Sequence, residues 1–199
     1  AADNGPTLLR NFWQKGMNSI TRGRTQAPYA YEIPGFARQR DPARTAYLVN
    51  QLRRHAIEVH REPDGDFLVR LAQPYRDLAV NLLSRQNFPS DAEHPPYDDI
   101  AWTLGYLYGV QVDAVDDSTV LRRGGLTLLA DTVAAPGAVR GRGAVYLVAN
   151  RAQNELLPAL HALRARAPNA TATAAQRAFT VGRDSFPAGS LVLEGVDAA

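Results

Sequence analysis

The residues that invite a chemical reading are His55-Ala56-Ile57-Glu58, because a His-x-x-Glu spacing can offer two ligands to zinc. A working zinc site needs a third ligand, an open coordination position and a general-base carboxylate. The other histidines are His60, His94 and His161, and none lies in a recognisable metal-binding context. His55 stands where a helix hands over to a strand, so a backbone-bonded cap is the expected role and no metal ligand is assigned.

Nucleophilic catalysis has little to draw on. The chain contains no cysteine, which removes thiolate chemistry, disulfides and cysteine zinc sites together. No Gly-x-Ser-x-Gly elbow occurs, and Gly189-Ser190-Leu191 leads straight into a strand. Arg140-Gly141-Arg142-Gly143 precedes a strand, whereas phosphate-cradling loops follow one and open a helix. Asp113, Asp116 and Asp117 lack the glycine and closing glutamate of a calcium loop.

Two polar-aromatic clusters are better placed to bind something. Gln73, Tyr75 and Arg76 follow the strand ending at Leu71, and Tyr97, Asp98 and Trp102 lead into a later helix. Binding crevices in open α/β sheets lie beyond strand carboxyl ends, where helix amino termini also favour anions. A peptide or glycan is the class of ligand such groups suit.

These groups must be held by elements the pattern announces. Leu8, Leu9, Phe12, Trp13, Met17 and Ile20 recur at helical spacing, followed by a polar segment, Thr21 to Gln26, that reads as a linker. This separates a leading amphipathic helix and linker, residues 1–26, from an α/β domain, residues 27–199. Phe12 and Trp13 make the helix a candidate docking surface, since large aromatic anchors dominate interfaces.

Within the domain, Tyr29 to Pro34 predicts a strand, Asp41-Pro42 a helix start, Ile57 to His60 and Phe67 to Leu71 two more strands around a turn at Asp64-Gly65. Helices follow Pro74 and Pro96, the latter ending at Gly109. The last third repeats the order with a strand at 144–149, a helix near Asn154, and strands near 170–173, 178–181 and 190–193. The expected fold is a three-layer α/β structure, a mostly parallel sheet with antiparallel hairpins, because parallel strands need crossover helices. The recurrence predicts an internal duplication over residues 28–72 and 143–194.

Composition excludes several classes. At 199 residues with 45% hydrophobic content the chain is long enough to bury a core. Its net charge of +2 is small, and a nucleic-acid binder would carry a denser basic face with interleaved aromatics. No apolar run approaches the ~20 residues that span a bilayer, and Ala1 to Pro6 is not a signal peptide. Charge is uneven: residues 1–54 hold nine basic and three acidic groups, whereas residues 91–117 hold acidic groups and no Lys or Arg.

Several stretches taken in order resemble one family. They are Leu8-Leu9-Arg10-Asn11-Phe12, Pro28-Tyr29-Ala30-Tyr31 with Ile33-Pro34, Asp41-Pro42-Ala43-Arg44, Ile57-Glu58-Val59-His60-Arg61, Ala72-Gln73-Pro74-Tyr75-Arg76, Pro96-Tyr97-Asp98 with Ala101-Trp102, and Phe186-Pro187-Ala188-Gly189-Ser190. Together they resemble the long bacterial proteins in which a zinc carboxypeptidase domain is followed by a region similar to class I glutamine amidotransferases. The resemblance implies that the zinc ligands lie upstream of this sequence, that no cofactor sits in this chain, and that the parent is secreted or periplasmic. It further implies a non-catalytic accessory domain beside the peptidase domain, with a peptide-, glycan- or peptidoglycan-binding module as the alternative. No amidotransferase catalysis carries over, since a cysteine is required. The chain departs from the pattern at Glu62 to Asp66, where the first hairpin is short.

Overall fold

Asp41 fixes where the helix that follows it begins. Its side chain accepts hydrogen bonds from the Ala43 and Arg44 N–H groups, both at 3.1 Å, which satisfies donors that a helix start leaves open. The computed structural model describes residues 4–85, 93, 102–137, 139–151 and 153–196, and these divide into two units, residues 1–136 and 137–199.

In the first unit, helix α1 (Gly5–Thr25) precedes strand β1 (Ala30–Ile33), and helix α2 (Pro42–Arg54) leads to β2 (His60–Arg61) and β3 (Phe67–Arg70). Helices α3 (Arg76–Leu83) and α4 (Leu104–Tyr108), strand β4 (Asp113–Val115), a 3-10 helix at Ser118–Arg122 and strand β5 (Thr127–Leu128) complete it. The five strands lie in the order β4-β1-β3-β2-β5. Alternation assigns the faces: Tyr31, Ile33, Phe67 and Val69 point to one side, where Leu48, Val49 and Leu52 of α2, Ala79 and Leu83 of α3, and Leu104 of α4 bury against them. Ala30 and Leu68 point to the other, under Val120 of the 3-10 helix.

The second unit contains β6 (Val145–Val148), α5 (Gln153–Arg166), β7 (Thr171–Ala174), a hairpin of β8 (Phe179–Val181) and β9 (Asp184–Phe186), and β10 (Leu191–Glu194). Its sheet runs β6-β10-β7. Helix α5 begins at Gln153, beside the start expected near Asn154.

The protein is thus a mixed α/β structure, but every strand pairing among the described residues is antiparallel. The expected mostly parallel sheet is corrected, for a definite reason. Strands β1 and β2, joined through α2, do run in the same direction, as a crossover requires. The hairpin then turns β3 back between them, so each pairs with β3 and not with the other. The expected three-layer arrangement is likewise not the form of the first unit: α2, α3 and α4 share one face, and the 3-10 helix closes the other.

The expected linker at residues 21–26 is also corrected, since α1 continues through Thr25. Gly23 is buried there because a Cβ would lie 1.8 Å from the Leu71 carbonyl oxygen; the glycine permits close approach to β3's end. The helix predicted after Pro96 is corrected to Leu104–Tyr108, since Thr103, at φ +56°, is not helical; Gly109, at φ +64°, ends it as expected.

Leu52, fully buried between α2 and the sheet, is a sharp test of this core. Leu52→Ala should lower unfolding free energy by about 2–5 kcal/mol, whereas Leu160→Ala, at a half-buried position, should cost less. Urea denaturation of both variants measures the difference.

Candidate functional site

A buried side-chain amide has two donors and an acceptor to satisfy, and Gln73 satisfies them on backbone. Its Oε1 accepts from the Glu58 N–H at 2.7 Å, and its Nε2 donates to the Glu58 carbonyl at 3.1 Å and to the Arg70 carbonyl. Gln73 therefore fastens the segment entering β2 to the residue leaving β3. Arg76, 8% exposed, lies in the first turn of α3 and pairs with Asp77 at 3.3 Å.

Two members of the first polar-aromatic cluster are thus turned into the framework, and Tyr75, 40% exposed, remains at the surface. In the second cluster Trp102 is 38% exposed, and Tyr97 and Asp98 lie outside the described residues. The two clusters are not shown to form one site.

The His-x-x-Glu pair is also accounted for locally. His55 is the C-cap of α2, its backbone N–H reaching the Gln51 and Leu52 carbonyls at 3.2 and 3.1 Å. Ala56, at φ +58°, then turns the chain, and the Glu58 side chain is exposed. Asp117, of the acidic run, caps the 3-10 helix through Thr119, whose side-chain and backbone hydrogen bonds hold its carboxyl below the ordinary range.

One grouping escaped the linear pattern. Glu32 on β1 with Glu62 and Asp66 at the β2–β3 turn bring carboxylate oxygens within 4.8 Å of one another. Such oxygens could hold a hard cation, but arginines already occupy them. Arg123 donates to both Glu62 oxygens at 3.0 and 3.2 Å and reaches Glu32 at 3.5 Å, while Arg38 pairs with Asp66. The hydrogen bond that Arg123 donates to Glu62 is the main reason its guanidinium is held even more firmly protonated. Asp66 also accepts the Gly35 N–H at 2.7 Å. Three carboxylates held by two guanidinium groups form an ion-pair network, and that is the chemistry of this cluster. Only the alternation of Glu32 on its strand and the placement of Glu62 and Asp66 about a turn hinted at it; Arg123 is too far along the chain to be linked by spacing.

The remaining feature is α1, whose two halves differ. Toward its end, Ser19 and Gly23 are buried, Arg22 pairs with Asp77 of α3, and Gly16 lies against Pro74. Toward its start, Leu8, Leu9, Phe12 and Trp13 are each more than three-fifths exposed. These side chains leave the start of α1 with an apolar exposed face.

Two outcomes follow. Gln73→Leu strands the backbone groups of Glu58, at about 1–3 kcal/mol for each buried group, so it should lower stability clearly, whereas Tyr75→Phe should stay near neutral; chemical denaturation distinguishes them. His60 has its pKa pushed below 6.5, first by burial and then by Arg70, with Glu58 opposing. The unfolded chain therefore takes up a proton before the folded one, and stability present above 6.5 is lost as pH falls toward the folded value. His60→Gln should flatten the stability profile between about pH 7 and 5, as read from denaturation midpoints across that range.

Comparison with family models, with curated proteins and with solved structures finds no match for this chain.

Proposed function

We propose that this chain is a non-catalytic accessory domain of an extracytoplasmic zinc carboxypeptidase-like protein, packing beside the peptidase domain and shaping its substrate cleft. The observation that carries the reading is the divided character of α1: one half is anchored on α3 and the end of β3, and the other presents Leu8, Leu9, Phe12 and Trp13 to solvent. The occupant is taken to be the peptidase domain of the parent protein, on the strength of the residues that resemble that family. Zinc belongs to that domain in this reading. The cluster of Glu32, Glu62 and Asp66 supports it, because arginines hold its carboxylates.

The duplicated organisation is part of the same proposal. Strand, helix, strand and returning strand occur in both units, and the last strand lies between the first two in each: β1-β3-β2 and β6-β10-β7. The β8–β9 hairpin stands in the second unit where the tight turn at Glu62 to Asp66 stands in the first. We take residues 28–72 and 143–194 as copies of one ancestral element. The alternative, a peptide- or glycan-binding module built on Gln73, Tyr75 and Arg76, is the weaker reading, since Gln73 and Arg76 are buried. Among the described residues no helix is long and apolar enough to cross a membrane.

Phe12→Ala with Trp13→Ala tests the docking role. Association of the full chain with the separately produced peptidase domain, followed by sedimentation, should weaken by more than about tenfold, as expected for aromatic anchors. The melting temperature should change little, because both side chains are exposed. A double variant that unfolds, or one that binds the peptidase domain unchanged, overturns the reading. Saturable glycan binding that survives the double substitution would favour the module instead.

A further inference from the structure

The sheet of the second unit ends in an edge that lacks the usual protection. Among the described residues, strand β6 pairs with β10 on one side and with no strand on the other, and its sequence is Val-Tyr-Leu-Val. Edge strands in soluble proteins are normally blunted by Lys, Pro, a bulge or an inward charge, because their unpaired N–H and C=O groups template another strand. None of these devices is present in β6. Alternate residues of an antiparallel strand direct their backbone groups away from the partner, so β6 offers a ladder beyond β10.

An open trough of about 990 Å³ lies over this strand, lined also by residues 139–143 and the β8–β9 hairpin. Two kinds of group meet in it. Val139, Val145 and Val181 are 77%, 47% and 52% exposed. Arg140, Arg142 and Arg151 line it as well, against the single carboxylate of Asp184, and no ion pair engages these arginines among the described residues. Free guanidinium groups are suited to carboxylates, which they can bind in a bidentate manner.

We propose that the β6 edge is the docking site of an extended, acidic peptide segment, which adds a strand beside β6 and sets its carboxylates on Arg140, Arg142 and Arg151. The apolar surface receives the side chains between the carboxylates, as alternate residues of an added strand face opposite ways. A second copy of this chain fits less well, because two copies would bring like-charged arginine rims together. A nucleic acid fits less well too: bases need open aromatic faces, and Phe179 and Phe186 of the hairpin are stacked on each other at 5.1 Å. The trough is built from residues of the second unit alone, and the inference stands without the accessory-domain reading.

The full chain, titrated into a fluorescent peptide of alternating glutamate and valine long enough to follow β6, should raise its anisotropy saturably and lose affinity as salt is added. The same peptide with lysine for glutamate, or with its amides N-methylated, should not bind. Arg140→Glu with Arg142→Glu should weaken binding by at least about tenfold, with the circular dichroism spectrum unchanged. Phe12→Ala with Trp13→Ala should leave it intact, which keeps failure here distinct from failure of the docking role of α1. Equal binding of the N-methylated peptide would show that the edge takes no part. Equally tight displacement by a single-stranded oligonucleotide would mean an unspecific anion surface, and self-association of the chain that excludes the peptide would mean an edge paired with itself. Each of these three results overturns the proposal.

Discussion

The architecture of the first unit rests on side-chain amides that act as rungs of backbone ladder. Gln73 holds both backbone groups of Glu58; Gln39 accepts from the Gln111 N–H and donates to its carbonyl, each at 3.0 Å; Asn50 does the same for Val133, at 2.9 and 2.7 Å. Each fastens a stretch outside the regular strands to a helix flank or a strand end. Buried backbone polar groups must be paired, and where the chain is irregular only a side chain can supply the partner. Strands of two to four residues could not hold such long connections by their own hydrogen bonds.

The same economy explains the fate of the charged residues. Arg123 comes from just beyond the 3-10 helix to close on Glu62 and Glu32, and its Arg neighbour Arg70 donates to the Arg123 carbonyl. Arg61 lies over the rings of Phe67 and Phe36, at 4.3 and 5.3 Å from their centroids. These ionisable groups are thus absorbed in holding the sheet's polar margin. By contrast, the start of α1 leaves Leu8, Leu9, Phe12 and Trp13 exposed, and β6 leaves Val145 exposed.

The two units solve one problem in the same way at different depth. In each, a returning strand fills the space between two strands that a helix has already oriented in parallel. The first unit adds β4, β5 and three helices around that element and buries a contiguous core of Leu, Val, Ile and Phe. In the second, Leu191 is the buried hydrophobic residue among those described, beside buried Ser190, whose Oγ accepts from the Asn150 N–H at 3.1 Å.

Much of the local structure was legible in the residues alone. Asp41-Pro42 marks a helix start because a carboxylate before a ring with preset φ satisfies the first turn, and Gly109 marks an end because it tolerates a left-handed backbone. Both hairpins follow from glycine in the turn, at Gly65 and Gly182. The leucines of α2 and α3 follow from their periodicity. What the tertiary structure alone decided is which strands touch, since a crossover fixes direction but not adjacency, and β3 and β10 took the places that a parallel neighbour would have had. It also decided that Gly23 is a contact and not a linker, and that Gln73 and Arg76 belong to the framework. It assembled Glu32, the turn residues Glu62 and Asp66, and Arg123 from three places in the chain. Periodicity reports what one element buries against its neighbours, while such contacts depend on elements that meet only after the sheet has closed.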